Sequence, residues 1–176
     1  SGLVSLIGLA AYASLGGQSP WVPLLLAAAV VGFLPFNWHP GRVFLGDGGA
    51  YLVGAAIALG VTVSRAGDGV LTRLAALGFL GMFLVDLVIT VGRRFQQGSR
   101  LFEGDRGHVY DRLVHSGMRV PAVTLLLTGA HAIIVGATLL SLWLLPETAA
   151  LLVVLGVGVV ALAMTWRVAS RPPATD

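Results

Sequence analysis

Six runs of apolar residues, divided by two polar loops, leave this chain one kind of solvent. The runs cover residues 2–15, 20–36, 49–64, 70–91, 121–145 and 148–166. A helix needs about 20 largely apolar residues to cross the hydrocarbon layer of a bilayer. Charged residues make up 11% of the 176 positions and hydrophobic ones 56%, whereas a soluble domain carries roughly 25% charged residues. So little charge cannot clothe a water-facing surface. The expected fold is all-α, a polytopic membrane helix bundle of about six transmembrane helices. The first run, GLVSLIGLAAYASL, is short, as a truncated span of a larger bundle would be. The second opens on Pro20-Trp21 and ends in FLPF, and the last two form a hairpin about Pro146-Glu147. The small-residue pairs Gly54–Ala58 and Gly78–Met82 permit close helix packing.

The net charge of +3 could suggest nucleic acid until the cations are placed. All 11 are Arg, with no Lys. Arg42, Arg93, Arg94, Arg100, Arg106, Arg112, Arg119, Arg167 and Arg171 fall on one side of the implied zigzag; Arg65 and Arg73 fall on the other. Short loops rich in Arg stay in the cytoplasm, so loops 37–48 and 92–120 are expected to be cytoplasmic, and no nucleic-acid role is needed. The absence of Lys excludes a Walker-type phosphate loop and Schiff-base chemistry. Zero Cys excludes disulfides, thiolate metal sites and cysteine nucleophiles. Residues 172–176 read as a disordered tail.

The two cytoplasmic loops hold the unusual chemistry. In NWHPGRVFLGDGGA, residues 37–50, Gly46, Gly48 and Gly49 allow positive φ and leave backbone N–H groups unobstructed. Asp47 among them reads either as an N-cap for the next helix or as a ligand for Mg²⁺ or a phosphate site. His39 reads as an interfacial hydrogen-bonder before a ligand, and Arg42 as a lipid-phosphate contact or a topology anchor. Asp86 lies in the fourth run, seven residues before Arg93, about 10 Å inside the boundary at 1.5 Å per residue. There a carboxylate must be paired or face water, so it reads as an ion pair with Arg93 or as a support for an active site. In the second loop, His108, Asp111, Arg112 and His115 recur at i, i+3, i+4 and i+7, one polar stripe if helical. Asp105 is a candidate N-cap for that helix. The stripe suits a phosphate-bearing substrate, through bidentate Arg and a proton-moving His. It equally suits an amphipathic helix lying on anionic lipid.

Taken together, FNWHPGRVFLGDGGAYLVG and DLVITVGRRFQQGSRLFEGDRGHVYDRL resemble one family, the polyprenyl-phosphate N-acetylhexosamine-1-phosphate transferases. It includes the undecaprenyl-phosphate GlcNAc-1-phosphate transferases and the phospho-MurNAc-pentapeptide translocases. The resemblance implies transfer of a sugar 1-phosphate from a UDP-sugar to polyprenyl phosphate, releasing UMP, at the cytoplasmic face of the bacterial cytoplasmic membrane. The metal it implies is Mg²⁺, with Mn²⁺ as the alternative, and a homodimer is compatible with it. Asp47 matches the metal-binding aspartate and His108 the first His of the histidine motif, both catalytic. Asn37, Arg42, Asp105, Arg106, Asp111 and Arg112 are then expected to bind substrate.

The departures bear on which branch is present. Only the first His of a His-x-His-His pattern remains, at His108-Val-Tyr110-Asp111, which favours the GlcNAc type. Ala50 stands where Ser is usual, and Gly41 where Ala is usual. Ser1-Gly2-Leu3 resembles the end of the family's Asp-Gly-x-Asp-Gly-Leu motif, so residues 1–171 read as the C-terminal part of one transferase domain. The family's Asp-Asp pair is absent, and the 176-residue piece alone is expected to be inactive. A non-catalytic lipid carrier or transporter half keeping the same fold is the alternative.

Overall fold

The computed structural model describes residues 1–38, 41–63, 69–97 and 108–169. Each expected apolar run is helical. They form α1 (Gly2–Leu15), α2 (Trp21–Asn37), α3 (Gly46–Val63), α4 (Val70–Ala76), α5 (Gly81–Gln97), α7 (Val120–Leu144) and α8 (Glu147–Ala169). A short helix, α6 (Val109–His115), sits in the second polar loop, and no strand occurs among the described residues. Among the described residues, three segments are long and apolar enough to cross a membrane: Val70–Gln96, Val120–Leu144 and Glu147–Arg167. Helices α1 and α2 are apolar but shorter. Leu25, Leu125, Ile133, Leu152, Val159 and Met164 are exposed, the outward surface expected where lipid replaces water.

Within spans, hydroxyls have no water to turn to, and they bond back to carbonyls of their own helix. Thr138 donates to Ile134 O at 2.8 Å, Ser141 to Thr138 O at 2.9 Å and Thr124 to Val120 O at 3.0 Å. At the Arg-poor end, Gly69 N–H donates to Glu147 Oε1 at 3.2 Å. That bond ties the start of α4 to the α7–α8 turn, as the alternating zigzag requires.

The run at 70–91 is continuous in the sequence but broken in the structure. Leu77–Leu80 forms a 3₁₀ turn between α4 and α5. The tighter turn accompanies close helix approach at its glycines. A Cβ on Gly78 would overlap Thr138 of α7, and one on Gly81 would lie 2.5 Å from Ile134 Cγ2. Gly78 therefore serves packing as its spacing suggested. Gly54 meets no neighbour within 4 Å, so the Gly54–Ala58 pair makes no such contact.

Just past the 3₁₀ turn, Met82 N–H donates to Nδ1 of His131 at 3.3 Å. His131 is fully buried in α7. With Nδ1 accepting, the ring proton sits on Nε2, which donates to Ser5 Oγ of α1 at 2.8 Å. The ring also meets Phe83 edge-on at 5.6 Å. One imidazole thus joins three helices, with both nitrogens satisfied as burial demands.

Three apolar clusters hold the bundle. Phe79, Tyr12, Leu9, Val135 and Leu142 centre the largest. Leu6, Ala27 and Ile57 join α1, α2 and α3 beneath the first polar loop. Val85, Ile89, Val109, Leu113 and Val123 join α5, α6 and α7 beneath the second. The last two clusters position the candidate site.

Candidate functional site

The first loop is a tight reversal built from backbone. Pro35 lies two residues before the end of α2, and Trp38 leaves the helix in an extended conformation, φ −62° and ψ 148°. The amides of Arg42 and Val43 both donate to Phe36 O, at 2.8 and 3.1 Å, and Gly41 N–H donates to Trp38 O at 2.7 Å. Asn37 closes the loop from its side chain, with Nδ2 donating to Val43 O at 3.0 Å. The hydrogen bond gives Asn37 a bracing role in the loop. His39 lies outside the described residues.

Gly46 takes φ +64°, the left-handed region that glycine enters without penalty, and α3 begins there. Helix α3 starts three residues earlier than the apolar run, because Gly-Asp-Gly-Gly is its first turn. Asp47 consequently lies inside that turn. This corrects the N-cap reading: Asp47 is the second residue of the helix. Its carboxylate suits the positive end of the helix dipole. Asp47 and Arg42 are both exposed, and Asp47 makes no hydrogen bond or ion pair among the described residues.

The second loop is organised by side chains. Helix α6 starts at Val109 with His108 at its N-cap position, which corrects the expectation that Asp105 caps it. Asp105 and Arg106 lie outside the described residues. The capping acceptor comes from α5: Asp86 Oδ1 accepts Val109 N–H at 3.1 Å. Asp86 Oδ2 lies 2.7 Å from His108 Nδ1. Thr90 Oγ1, one helical turn further along α5, stands 3.5 Å from the same nitrogen. Asp86 thus engages both the ring and the following amide of the second loop.

The stripe on α6 follows its helical spacing. Val109 and Leu113 are buried, Asp111 and Arg112 are partly exposed and His115 is exposed. His115 Nδ1 donates to Asp111 O at 2.6 Å. Past the end of the helix Gly117 takes φ +93°, and Met118 N–H reaches back to Leu113 O at 3.3 Å.

The structure therefore brings Asp86, Thr90 and His108 together, and Asn37 with the turn at 41–43. Sequence reasoning weighed Asp86 without placing it, and did not single out Thr90 or His131. The signals for Asp86 are a charge inside an apolar span and its place at the head of the second resembling stretch. Among the described residues no three His, Asp or Glu side chains gather as a metal cage. Mg²⁺ commonly takes one or two protein carboxylates and completes its shell with phosphate oxygens and water. A single exposed carboxylate at Asp47 fits that pattern.

Residues 1–65, spanning α1 to the end of α3, match glycosyl transferase family 4. This match and the chain's relatives support the motif resemblance. The chain is 33% identical over 126 residues to a decaprenyl-phosphate N-acetylglucosaminephosphotransferase of Mycobacterium tuberculosis, covering 63% of this chain and 31% of that protein. It is 32% identical over 93 residues to an undecaprenyl-phosphate alpha-N-acetylglucosaminyl 1-phosphate transferase of Haemophilus influenzae, 52% of this chain and 26% of that one. A phospho-N-acetylmuramoyl-pentapeptide-transferase of Chlorobium phaeobacteroides is 35% identical over 91 residues, 49% of this chain and 24% of that one. The chain spans 24–31% of the length of these relatives. No solved structure matches it.

Proposed function

We propose that the intact protein transfers an N-acetylhexosamine 1-phosphate from a UDP-sugar to polyprenyl phosphate, at the cytoplasmic face of a bacterial cytoplasmic membrane. This is the first membrane step of a cell-wall or surface glycan. An oxygen of the acceptor phosphate attacks the β-phosphorus of the donor. The bond from that phosphorus to the bridging oxygen breaks, UMP leaves with the electron pair, and a sugar diphosphate lipid remains.

The chemistry asks for charge neutralisation and orientation between two polyanions. Bound at Asp47, Mg²⁺ (or Mn²⁺) would draw charge from the phosphate oxygens. His108 presents an imidazole at the head of α6, suited to hold a phosphate or hand on a proton. Arg42 and Arg112 offer guanidinium forks, and Asn37 and Asp111 shape the two loops around the substrate. Asp105 and Arg106 complete the set assigned to substrate binding. A prenyl acceptor brings its phosphate to the membrane edge, where both loops sit.

The observation that carries this reading is the pairing, in one apolar bundle, of the FLGDGGA loop with the DRGHVYDR loop. Relatives of the chain are named for N-acetylglucosamine phosphate transfer to prenyl phosphates, which supports the reading. Membranes holding the intact protein, given polyprenyl phosphate, Mg²⁺ and UDP-N-acetylglucosamine labelled at the β-phosphate, should form a labelled lipid and release unlabelled UMP. Chelation of the metal should stop it. Activity that survives Asp47→Asn would favour the non-catalytic carrier instead.

A further inference from the structure

We infer that Asp86 is a positioning residue for His108, fixing the tautomer and the direction of its ring; the catalytic consequence rests on the transferase reading. The two oxygens of one carboxylate do separate jobs. Oδ1 accepts the amide of Val109 at 3.1 Å and so fixes the backbone just after His108. Oδ2 lies 2.7 Å from Nδ1 and fixes the ring itself. Backbone and side chain of one residue are thus referred to a single rigid point on α5.

That point is itself well anchored. Val85 and Ile89 flank Asp86 along α5, and both pack in the buried cluster that takes Val109 and Leu113 from α6. The same cluster takes in Val123 of α7 and Leu162 and Trp166 of α8, so α6 is seated by apolar packing and not by the polar groups alone. The side chains of His108 and Asp86 stay 49% and 30% exposed, so the outer part of the ring remains open to a substrate.

A carboxylate only accepts hydrogen bonds. Nδ1 must therefore carry a proton in the clasp, and Nε2 is the nitrogen left for substrate. Such outer partners commonly set the tautomer and orientation of a working histidine. A plain helix cap would not require a charge. Asn serves as an N-terminal acceptor about as well as Asp, while an ionised group in an apolar span is expensive. The charge at position 86 is accounted for by the ring.

Asp86→Asn separates the two jobs, since its carbonyl oxygen can still accept the Val109 amide. In the intact protein, in lipid nanodiscs with ¹⁵N-labelled histidine, the His108 signal (assigned by its loss in His108→Gln) should show a protonated Nδ1. In Asp86→Asn it should move toward the Nε2-protonated form. The same variant should lower kcat about 10- to 100-fold, the usual range for losing an outer-shell partner, with KM for the UDP-sugar within about twofold. The double variant Asp86→Ala/His108→Ala should be no slower than His108→Ala. An unchanged tautomer in Asp86→Asn, or a double variant slower than His108→Ala, overturns the inference. Wild-type protein without transferase activity overturns the transferase reading instead, and the tautomer result still decides the clasp.

Discussion

Asp47 and His108 both stand at the start of a helix at the edge of the apolar bundle, yet they are held in opposite ways. Around Asp47 the loop keeps its shape through backbone bonds from Phe36, Trp38, Arg42 and Val43, with Asn37 as the one bracing side chain. Its acid is exposed. Around His108 the shape comes from side chains: a carboxylate from α5 clasps ring and amide above a buried cluster. The first region is a backbone cradle with a free charge, suited to a ligand that arrives with its own charges. The second is a pre-set side chain. Function and stability should therefore separate in the first region and travel together in the second.

The largest effect expected is at Asp47. Asp47→Asn in the intact protein should cut transfer by about 10²–10³-fold, the scale on which one electrostatic group in an active site counts. The thermal midpoint should move by no more than about 2 °C, because the carboxylate has no hydrogen-bond or ion-pair partner among the described residues and only its weak helix-dipole interaction is lost. Activity and melting measured on the same sample check this. A larger fall in the midpoint would break the contrast, by showing that the first loop also depends on a side chain.

Next comes packing beneath each loop. Leu113, 8% exposed, supports the clasp, while Leu45, 44% exposed, lies in the cradle. Leu113→Ala should destabilise by about 2 kcal/mol, at the low end for a large-to-small core change. Leu45→Ala should stay within about 0.5 kcal/mol, as surface changes do. Denaturant unfolding in detergent compares them directly. A third variant, Asn37→Ala, removes the 3.0 Å bond to Val43 O. It should cost about 1 kcal/mol of loop order, read as a KM for the UDP-sugar raised up to about fivefold with little change in melting.

What was legible beforehand follows the same division. The helices were readable because apolar length and punctuation by Pro, Gly and charge are local properties. All six runs are helices, with starts and ends displaced by a few residues. The start of α3 was misplaced because Gly46 to Gly49 look like a loop, and only the positive φ at Gly46 shows where the helix begins. The break at Leu77–Leu80 needs the approach of Ile134 and Thr138, which no local pattern encodes. Asp86 was visible as an anomalous charge, but its partner is 22 residues away and is reached only once α6 packs on α5. A span-internal pairing with Arg93 was an equally good guess from spacing. His131 gave no signal, since its partners Ser5 and Met82 lie on two other helices.

The smallest effect should come from Thr90, and it sharpens the account of the clasp. Thr90 is buried, and its hydroxyl stands 3.5 Å from His108 Nδ1, the outer limit for a hydrogen bond. The carboxylate of Asp86 is at 2.7 Å from the same atom. One N–H cannot serve both well, and strength falls steeply with poor geometry, so the carboxylate takes the proton. Thr90→Val then leaves His108 satisfied and keeps the β-branched shape against α6. Transfer should change by less than about twofold, and unfolding by about 0.5 kcal/mol or less. A tenfold loss of kcat in this variant, with melting intact, would mean that the hydroxyl shares the ring with Asp86. The clasp would then be a two-point device along one face of α5, and Asp86→Asn would owe part of its effect to a displaced Thr90.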